Sequence, residues 1–251
     1  MTRLIINADD FGLNGDVNRG IIMAREAGAI TNTTLMIKKE GASEAIDYAL
    51  ANPSFSVGLH IDIDEIVLGE RKGSKRFEET YLTQRLADPQ ILDAIEEDLL
   101  AQLELFEKSG LPLSHIDSHH HLHALPQLFY VILKVLEGRR IRTMRVAKNY
   151  DLVKYPSIMW DPTFYDRAII ALNKQGISIA DRFLPFSEID LLEAMPQGIT
   201  EMMTHVGKGE SWREKELRFL MSDKWQALLK QNNVELISFR DIAKVIPDER
   251  N

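Results

Sequence analysis

The chain of 251 residues contains no cysteine. Disulfide frameworks, thiolate metal sites and cysteine nucleophiles are therefore excluded, and histidine or carboxylate side chains would have to hold any metal ion. Apolar runs are also short, since none approaches the ~18 uncharged residues that span a bilayer. The start of the chain lacks the apolar core of a secretion signal. We therefore expect a cytoplasmic protein without a membrane partner.

Basic residues are scarce relative to acidic ones. Lysine and arginine total 30 against 38 aspartate and glutamate, which gives a formal net charge of −8. Proteins that bind nucleic acid by neutralising its phosphates usually have the opposite balance, so we expect no nucleic-acid partner. A homodimer is expected only because closed dimers are the most common oligomers.

Short apolar runs alternate with longer helical patterns about eight times along the chain. The predicted strands are residues 4–8, 33–37, 55–59, 113–116, 143–146, 177–180, 200–204 and 235–238. The predicted helices are residues 17–27, 41–50, 89–108, 128–136 and 214–232. This alternation predicts one α/β domain over residues 1–251, either a β/α barrel or a doubly wound parallel sheet. Residues 62–88 are interpreted as a loop, and the basic cluster at 71–76 as part of it or of a lid.

All seven histidines lie in three segments that follow predicted strands: His60, the segment 115–123, and His205. Asp9 and Asp10 follow the first strand. Because the carboxyl ends of parallel strands share one face, we expect Asp10, His60 and a histidine of 119–123 to converge. Two imidazoles and one carboxylate are a plausible site for one divalent ion, and they suit Zn, Fe(II), Mn or Co better than Mg or Ca.

The adjacent carboxylates indicate a division of roles. Successive side chains of an extended segment point in opposite directions, so Asp9 and Asp10 are expected to differ in what they contact. One would bind the ion while its neighbour meets the attacking water, as metal-assisted hydrolysis requires. His205 would then protonate the leaving group.

Three motifs, NADDFGL at 7–13, GLH at 58–60 and HIDSHHHLH at 115–123, resemble the YdjC-like carbohydrate deacetylase family, which includes chitooligosaccharide deacetylases. Residues 20–22, 31–34 and 201–205 are similar to that family as well, so the resemblance extends almost from end to end. It implies a distorted, TIM-like β/α barrel related to the polysaccharide deacetylase fold. The implied reaction is metal-dependent removal of acetyl groups from N-acetylglucosamine units of small chito-oligosaccharides, some of them phosphorylated.

The resemblance also implies roles for individual residues. By motif position, the metal ligands are Asp10, His60 and His119, the catalytic base is Asp9, and the candidate general acid is His205. The family is usually described with magnesium, whereas the two imidazoles make zinc equally plausible.

Other positions bear on the substrate. Val206 stands where the family often has proline, so no fixed φ follows His205. Arg145 resembles a family arginine that orients Asp9 or binds substrate; a structural salt bridge is an equal alternative. His121 and His123 are further candidates for substrate contacts or for the general acid. Five aromatic residues that follow the predicted fifth strand could stack on a sugar ring or simply pack in a loop: Tyr150, Tyr155, Trp160, Phe164 and Tyr165.

Three other functions use the same residue types. A 2-His-1-carboxylate site occurs in non-haem Fe(II) oxygenases, but Asp9 has no evident role there. A metal-dependent phosphoesterase would often need a second ion, for which Asp117, His121 and His123 are available. A non-catalytic, metal-stabilised sugar-binding protein would make Asp9 dispensable. The intact pair of carboxylates favours a deacetylase.

Overall fold

The computed structural model describes residues 2–69, 79–139, 141–147, 162–194 and 197–243. Within these ranges there are seven strands: β1 Thr2–Phe11, β2 Asn32–Leu35, β3 Ser56–Ile61, β4 Leu113–Ser118, β5 Arg182–Pro185, β6 Gly198–Thr204 and β7 Val234–Leu236. They form one parallel sheet in the order β4-β3-β2-β1-β6-β5, and β7 pairs with β1. Because all pairs are parallel, the carboxyl ends of the strands lie on the same rim, as predicted.

Strand β1 runs through the centre of the sheet. Its apolar residues Leu4, Ile5, Ile6 and Ala8 are fully buried, which is typical of a parallel strand that is covered on both faces. Strand β6 pairs with β1 from Thr2 to Ala8, β7 pairs with its first residues and β2 with its last. The end of β1 therefore lies in the middle of the rim.

Helices connect and cover the strands. They are α1 Gly15–Glu26, α2 Ala42–Ala51, α3 Asp64–Leu68, α4 Glu79–Leu86, α5 Pro89–Lys108, α6 Pro126–Leu136, α7 Pro162–Lys174, α8 Ser211–Leu220, α9 Asp223–Gln231 and α10 Phe239–Ile242. Helix α5 shows how the local sequence determines where a helix begins. Asp88 caps its first turn by accepting a hydrogen bond from the backbone N–H of Gln90, and Pro89 occupies the first helical position. No helix in the described ranges has the length and apolar character needed to cross a membrane.

The sheet curls into a half-barrel with flanking helices, which confirms the predicted β/α architecture. The predicted strands at 143–146 and 177–180 are each reduced to isolated parallel bridges, Ile116 with Met144 and Thr143 with Ser178. The neighbouring regular strand, β5, starts only at Arg182. The predicted strand at 177–180 therefore contributes only the bridge at Ser178, and the sequence pattern missed β5.

Two further predictions were wrong in detail. The helix expected over 214–232 is two helices, α8 and α9, because Ser222 interrupts it and accepts a hydrogen bond from the backbone N–H of Trp225. The segment 62–88 contains α3 and α4, since Leu82 and Leu86 bury one face of α4. The basic cluster at 71–76 lies outside the described residues.

Candidate functional site

The end of β1 carries a bulge that sets the direction of both carboxylates. Ala8 pairs with Thr33 and Phe11 with Leu35, so Asp9 and Asp10 together face a single residue of β2. Asp10 adopts a left-handed backbone conformation with φ of 71°, which is uncommon for a residue other than glycine. A bulge can redirect side chains out of the regular alternation. Both carboxylates therefore reach His60, although strict alternation had predicted opposite directions.

The imidazole of His60 is held between two carboxylates. At the end of β3, its Nδ1 lies 2.7 Å from Oδ1 of Asp117, and its Nε2 lies 3.3 Å from Oδ1 of Asp10. Thr34 donates a hydrogen bond to Oδ2 of Asp117, which fixes that carboxylate in turn. An imidazole that binds a metal usually donates its other N–H to a carboxylate, and His60 has this arrangement.

His119 arrives from the short 3-10 segment His119–Ala124, directly after β4. Its Nδ1 lies 3.2 Å from the same Oδ1 of Asp10. His120 and His121 both have left-handed φ values, 52° and 54°, so the chain turns sharply here. This turn leaves His119 at the rim, with its side chain 23% exposed.

Asp10, His60 and His119 together form a donor set that fits a divalent ion. Two donors bound to one tetrahedral ion at about 2.1 Å lie about 3.4 Å apart, close to the 3.2 and 3.3 Å separations seen here. Oδ1 of Asp10 and Nε2 of His60 are buried, and neither makes a hydrogen bond in the described part of the chain. These residues could hold a metal ion.

The electrostatics of this group also favour a cation. Burial acts to raise the pKa of Asp10, but the facing imidazoles of His119 and His60 outweigh burial and hold it well below its usual value. Burial acts to lower the pKa of His60, but Asp117 and Asp10 raise it well above its usual value. The pKa of His119 is also raised, because its interaction with Asp10 outweighs burial. A metal ion would replace the protons that these rings attract.

Asp9 is held by Arg145 rather than by the histidines. Nη1 and Nη2 of Arg145 donate to the two oxygens of Asp9 at 2.8 and 2.7 Å, and Nδ2 of Asn7 donates to Oδ1 at 2.8 Å. Burial acts to raise the pKa of Asp9, but the charge and hydrogen bonds of Arg145 hold it well below its usual value. Asp9 is therefore a fixed, ionised carboxylate.

Arg145 itself has no exposed surface. Besides Asp9, it contacts Oδ2 of Asp117 at 2.8 Å and Oε1 of Glu201 at 2.7 Å. Arg145 was predicted to contact substrate, but its burial and these contacts favour the alternative, in which it orients Asp9.

His205 directly follows β6, and its positive charge, when protonated, contributes to lowering the pKa values of Asp9 and Asp10. Its backbone N–H donates to Oε2 of Glu216 at 2.7 Å. The next residue, Val206, is fully buried. These contacts position His205 without the proline that often follows this histidine in the family.

His121 and His123 lie deeper, with exposed fractions of 5% and 3%. Burial, supported by the positive charge of Arg145, lowers the pKa of His121 well below its usual value and that of His123 to about 3. Both rings are therefore neutral near pH 7. Among the described residues, neither ring joins Asp117 in a group that could hold an ion, so His121 and His123 do not supply the second site of the phosphoesterase alternative. Two further groups could hold an ion: Asp64 with His119 and His120, and Asp9 with His60 and Asp117.

The aromatic residues considered for sugar stacking divide into two sets. Tyr150, Tyr155 and Trp160 lie outside the described residues. Phe164 and Tyr165 belong to α7 and are buried, with exposed fractions of 2% and 4%. They line a small apolar cavity together with His123 and Arg145.

Three charged residues of the site escaped sequence reasoning in whole or part. Asp117 was quoted within the histidine motif but was considered only for a second ion. Glu201 was hidden in the apolar pattern of β6. Arg213 lies on α8, where its Nη2 donates to Oδ2 of Asp10 at 2.7 Å and its Nε to Oε2 of Glu210 at 2.7 Å. Glu201 could have been identified as part of the site because it is a charged residue inside a buried strand. No sequence pattern indicated that Arg213 belongs to the site.

The chain is similar to proteins of one family along almost its whole length. A family model described as YdjC-like protein matches residues 3–231. A carbohydrate deacetylase of Brevibacillus brevis is 31% identical over 264 residues, covering 96% of this chain and 99% of the relative. A carbohydrate deacetylase of Vibrio campbellii is 31% identical over 263 residues, covering 97% of this chain and 100% of the relative. A crystal structure from Enterococcus faecalis V583, described as a candidate cellobiose-phosphate cleavage protein, shares the fold with a TM-score of 0.73 and 21% identity over 96% of this chain and 98% of its own. The chain belongs to the YdjC-like protein family.

Proposed function

We propose that the chain is a metal-dependent carbohydrate deacetylase that hydrolyses the acetamido group of N-acetylglucosamine units in small chito-oligosaccharides. The observation that supports this most directly is the convergence of Asp10, His60 and His119 beside a separate, ionised Asp9. The names of the relatives support the carbohydrate deacetylase reaction. The length of the oligosaccharide and its phosphorylation state are the finer part of the proposal.

Asp10, His60 and His119 would hold one divalent ion, which acidifies water and polarises the acetamido carbonyl when it is bound. Two imidazoles in the donor set favour zinc or another transition ion, although the resemblance implies magnesium. Asp117 keeps Nε2 of His60 directed at Asp10 by accepting from Nδ1. Arg213 holds Oδ2 of Asp10, so that Oδ1 faces the two imidazoles.

Asp9 would be the general base. It would take a proton from the attacking water as the water oxygen bonds to the carbonyl carbon. The low pKa that Arg145 imposes makes Asp9 a weak base, so this role depends on the water being acidified at the ion site. Arg145 and Asn7 fix the carboxylate, so no reorganisation is needed when the water approaches.

His205 would be the general acid. The carbon–nitrogen bond breaks as His205 donates a proton to the amide nitrogen, which yields acetate and a free amino sugar. His121 and His123 are less suited to this role, because both rings are buried and their pKa values are lowered. His205 is only partly buried, so a substrate could reach its ring more easily than the buried rings.

The decisive assay is acetate release from diacetylchitobiose and from its phosphorylated form. Protein stripped with a chelator would be reconstituted separately with Zn²⁺, Mg²⁺, Mn²⁺ and Co²⁺, and phosphate release would be followed in parallel. We expect acetate release that depends on the added ion. Phosphate without acetate would support the phosphoesterase instead, and saccharide binding without either product would support a non-catalytic protein.

Asp9→Asn tests the role of the base. We expect turnover to fall by about 10²- to 10⁴-fold while the metal content is retained, because Asp9 is not among the proposed ligands. Asp47→Asn, on the exposed side of α2, is the matched control and should leave turnover unchanged. Normal turnover in Asp9→Asn would overturn the assignment.

A further inference from the structure

Trp212 has an unusually exposed side chain for a tryptophan. Its exposed fraction is 45%, whereas Trp225 on α9 is fully buried. Tryptophan is highly buried on average, so an exposed indole beside a polar site requires a reason. The proposed catalytic machinery does not use Trp212.

The indole lies at the entrance of the candidate site. Its ring centroid is 5.7 Å from that of His205, and the two planes are inclined by 60°. Asp10 is buried, His205 is partly buried and Trp212 is exposed. These three side chains therefore mark a path from the proposed metal ligands to solvent.

Arg213 fixes the orientation of the indole. Its guanidinium carbon lies 4.4 Å from the centroid of the Trp212 ring, and the same guanidinium is bound to Asp10 and Glu210. Hydrogen bonds from Arg213 and Trp212 also lower the pKa of the Glu210 carboxylate. A side chain that is already ordered loses little entropy when a ligand packs against it.

The geometry points to Trp212 as the stacking platform for the sugar ring next to the one that is deacetylated. An indole offers a flat apolar surface with a polar edge, and the C–H face of a pyranose is complementary to such a surface. This inference rests on the proposed function, which places the reacting acetamido group beside His205. A second ring that extends outward from that position would meet Trp212. Trp212 thus favours oligosaccharides over the monosaccharide.

Steady-state acetate release from triacetylchitotriose (here called chitotriose) and from N-acetylglucosamine tests the platform. In Trp212→Ala we expect KM for chitotriose to rise about tenfold, the effect of an aromatic contact of roughly 1.4 kcal/mol, while kcat stays within about twofold. For the monosaccharide we expect kcat/KM to stay unchanged. Trp212→Phe keeps a ring and should recover much of the loss. Tyr130→Ala, which removes another exposed aromatic residue on α6, should have no effect.

A binding measurement separates this inference from the proposed function. Chitotriose would be titrated into Asp9→Asn and into Asp9→Asn/Trp212→Phe while tryptophan fluorescence is recorded. We expect chitotriose to change the fluorescence spectrum of Asp9→Asn, and we expect no such change in Asp9→Asn/Trp212→Phe. An equal change in both, or an unaltered KM in Trp212→Ala that melts like the wild type, would refute the platform. If the wild type bound chitotriose with this signal but released no acetate, the proposed reaction would fail and the platform would stand.

Discussion

Glu201 is predicted to make the stability of this protein depend on pH in a way that one substitution removes. Its carboxylate is fully buried and shares Arg145 with Asp9 and Asp117, so three acidic groups surround one guanidinium. Burial raises the pKa of Glu201 from 4.5 to about 7 in spite of Arg145, and the negative charges of Asp117 and Asp9 add to the increase. Near pH 7, Glu201 is therefore the member of this cluster that exchanges a proton.

The sign follows from the two pKa values. Between pH 4.5 and about pH 7 the folded chain keeps a proton on Glu201 that the unfolded chain has lost, so the free energy of unfolding falls as the pH rises. A pKa difference of about 2.5 corresponds to roughly 3 kcal/mol when the whole interval is crossed. The neutral Glu201→Gln resembles the protonated carboxyl group, and its Oε1 can still accept from Nε of Arg145. The free energy of unfolding of Glu201→Gln should therefore not fall by this amount as the pH rises.

Urea unfolding at pH 5 and pH 8.5, with chelator present, measures the effect. We expect Glu201→Gln to gain about 2.5 kcal/mol relative to the wild type between the two pH values. Glu214→Gln, on α8 and paired with Arg218, is the matched control and should show no such gain. A difference between wild type and Glu201→Gln that stays constant with pH would refute the reasoning, because Glu201 would then not titrate in this interval.

Two other predictions concern positioning. Arg213→Met should weaken metal binding by about 10- to 100-fold, the usual effect of removing a group that orients a ligand. Competition with a chromophoric chelator measures this affinity, and Arg218→Met is the exposed control. Equal metal affinities of Arg213→Met and the wild type would contradict the role of Arg213. Gly20→Ala should lower stability by about 1–3 kcal/mol, because the new Cβ would lie 2.3 Å from the backbone of Gly207. Gly15→Ala is the control and should be neutral or stabilising in the same thermal melts, because its Cβ would make only an ordinary contact with Oε2 of Glu44 at 3.7 Å.

The sequence was sufficient for the architecture and for part of the site. Asp10, His60 and His119 each follow an apolar run that indicates a buried strand. Their convergence could be predicted from the sequence, because the ends of parallel strands share one rim. Helix α8 and helix α9 were merged, since both have a helical pattern and only the cap at Ser222 separates them. The bulge at Asp10 depends on how β1 pairs with β2, which no local pattern encodes.

The remaining part of the site comes from contacts between residues far apart in the chain. Arg145 reaches Asp9 across 136 positions, and Arg213 reaches Asp10 across 203. Each arginine takes one member of the adjacent carboxylate pair, so Asp9 and Asp10 become different in function although they are identical in type. Arg145 binds both oxygens of Asp9, while Arg213 binds only one oxygen of Asp10 and leaves the other facing His60 and His119. The division of roles that adjacent carboxylates suggest is thus supported by two arginines, each bound to a different member of the pair.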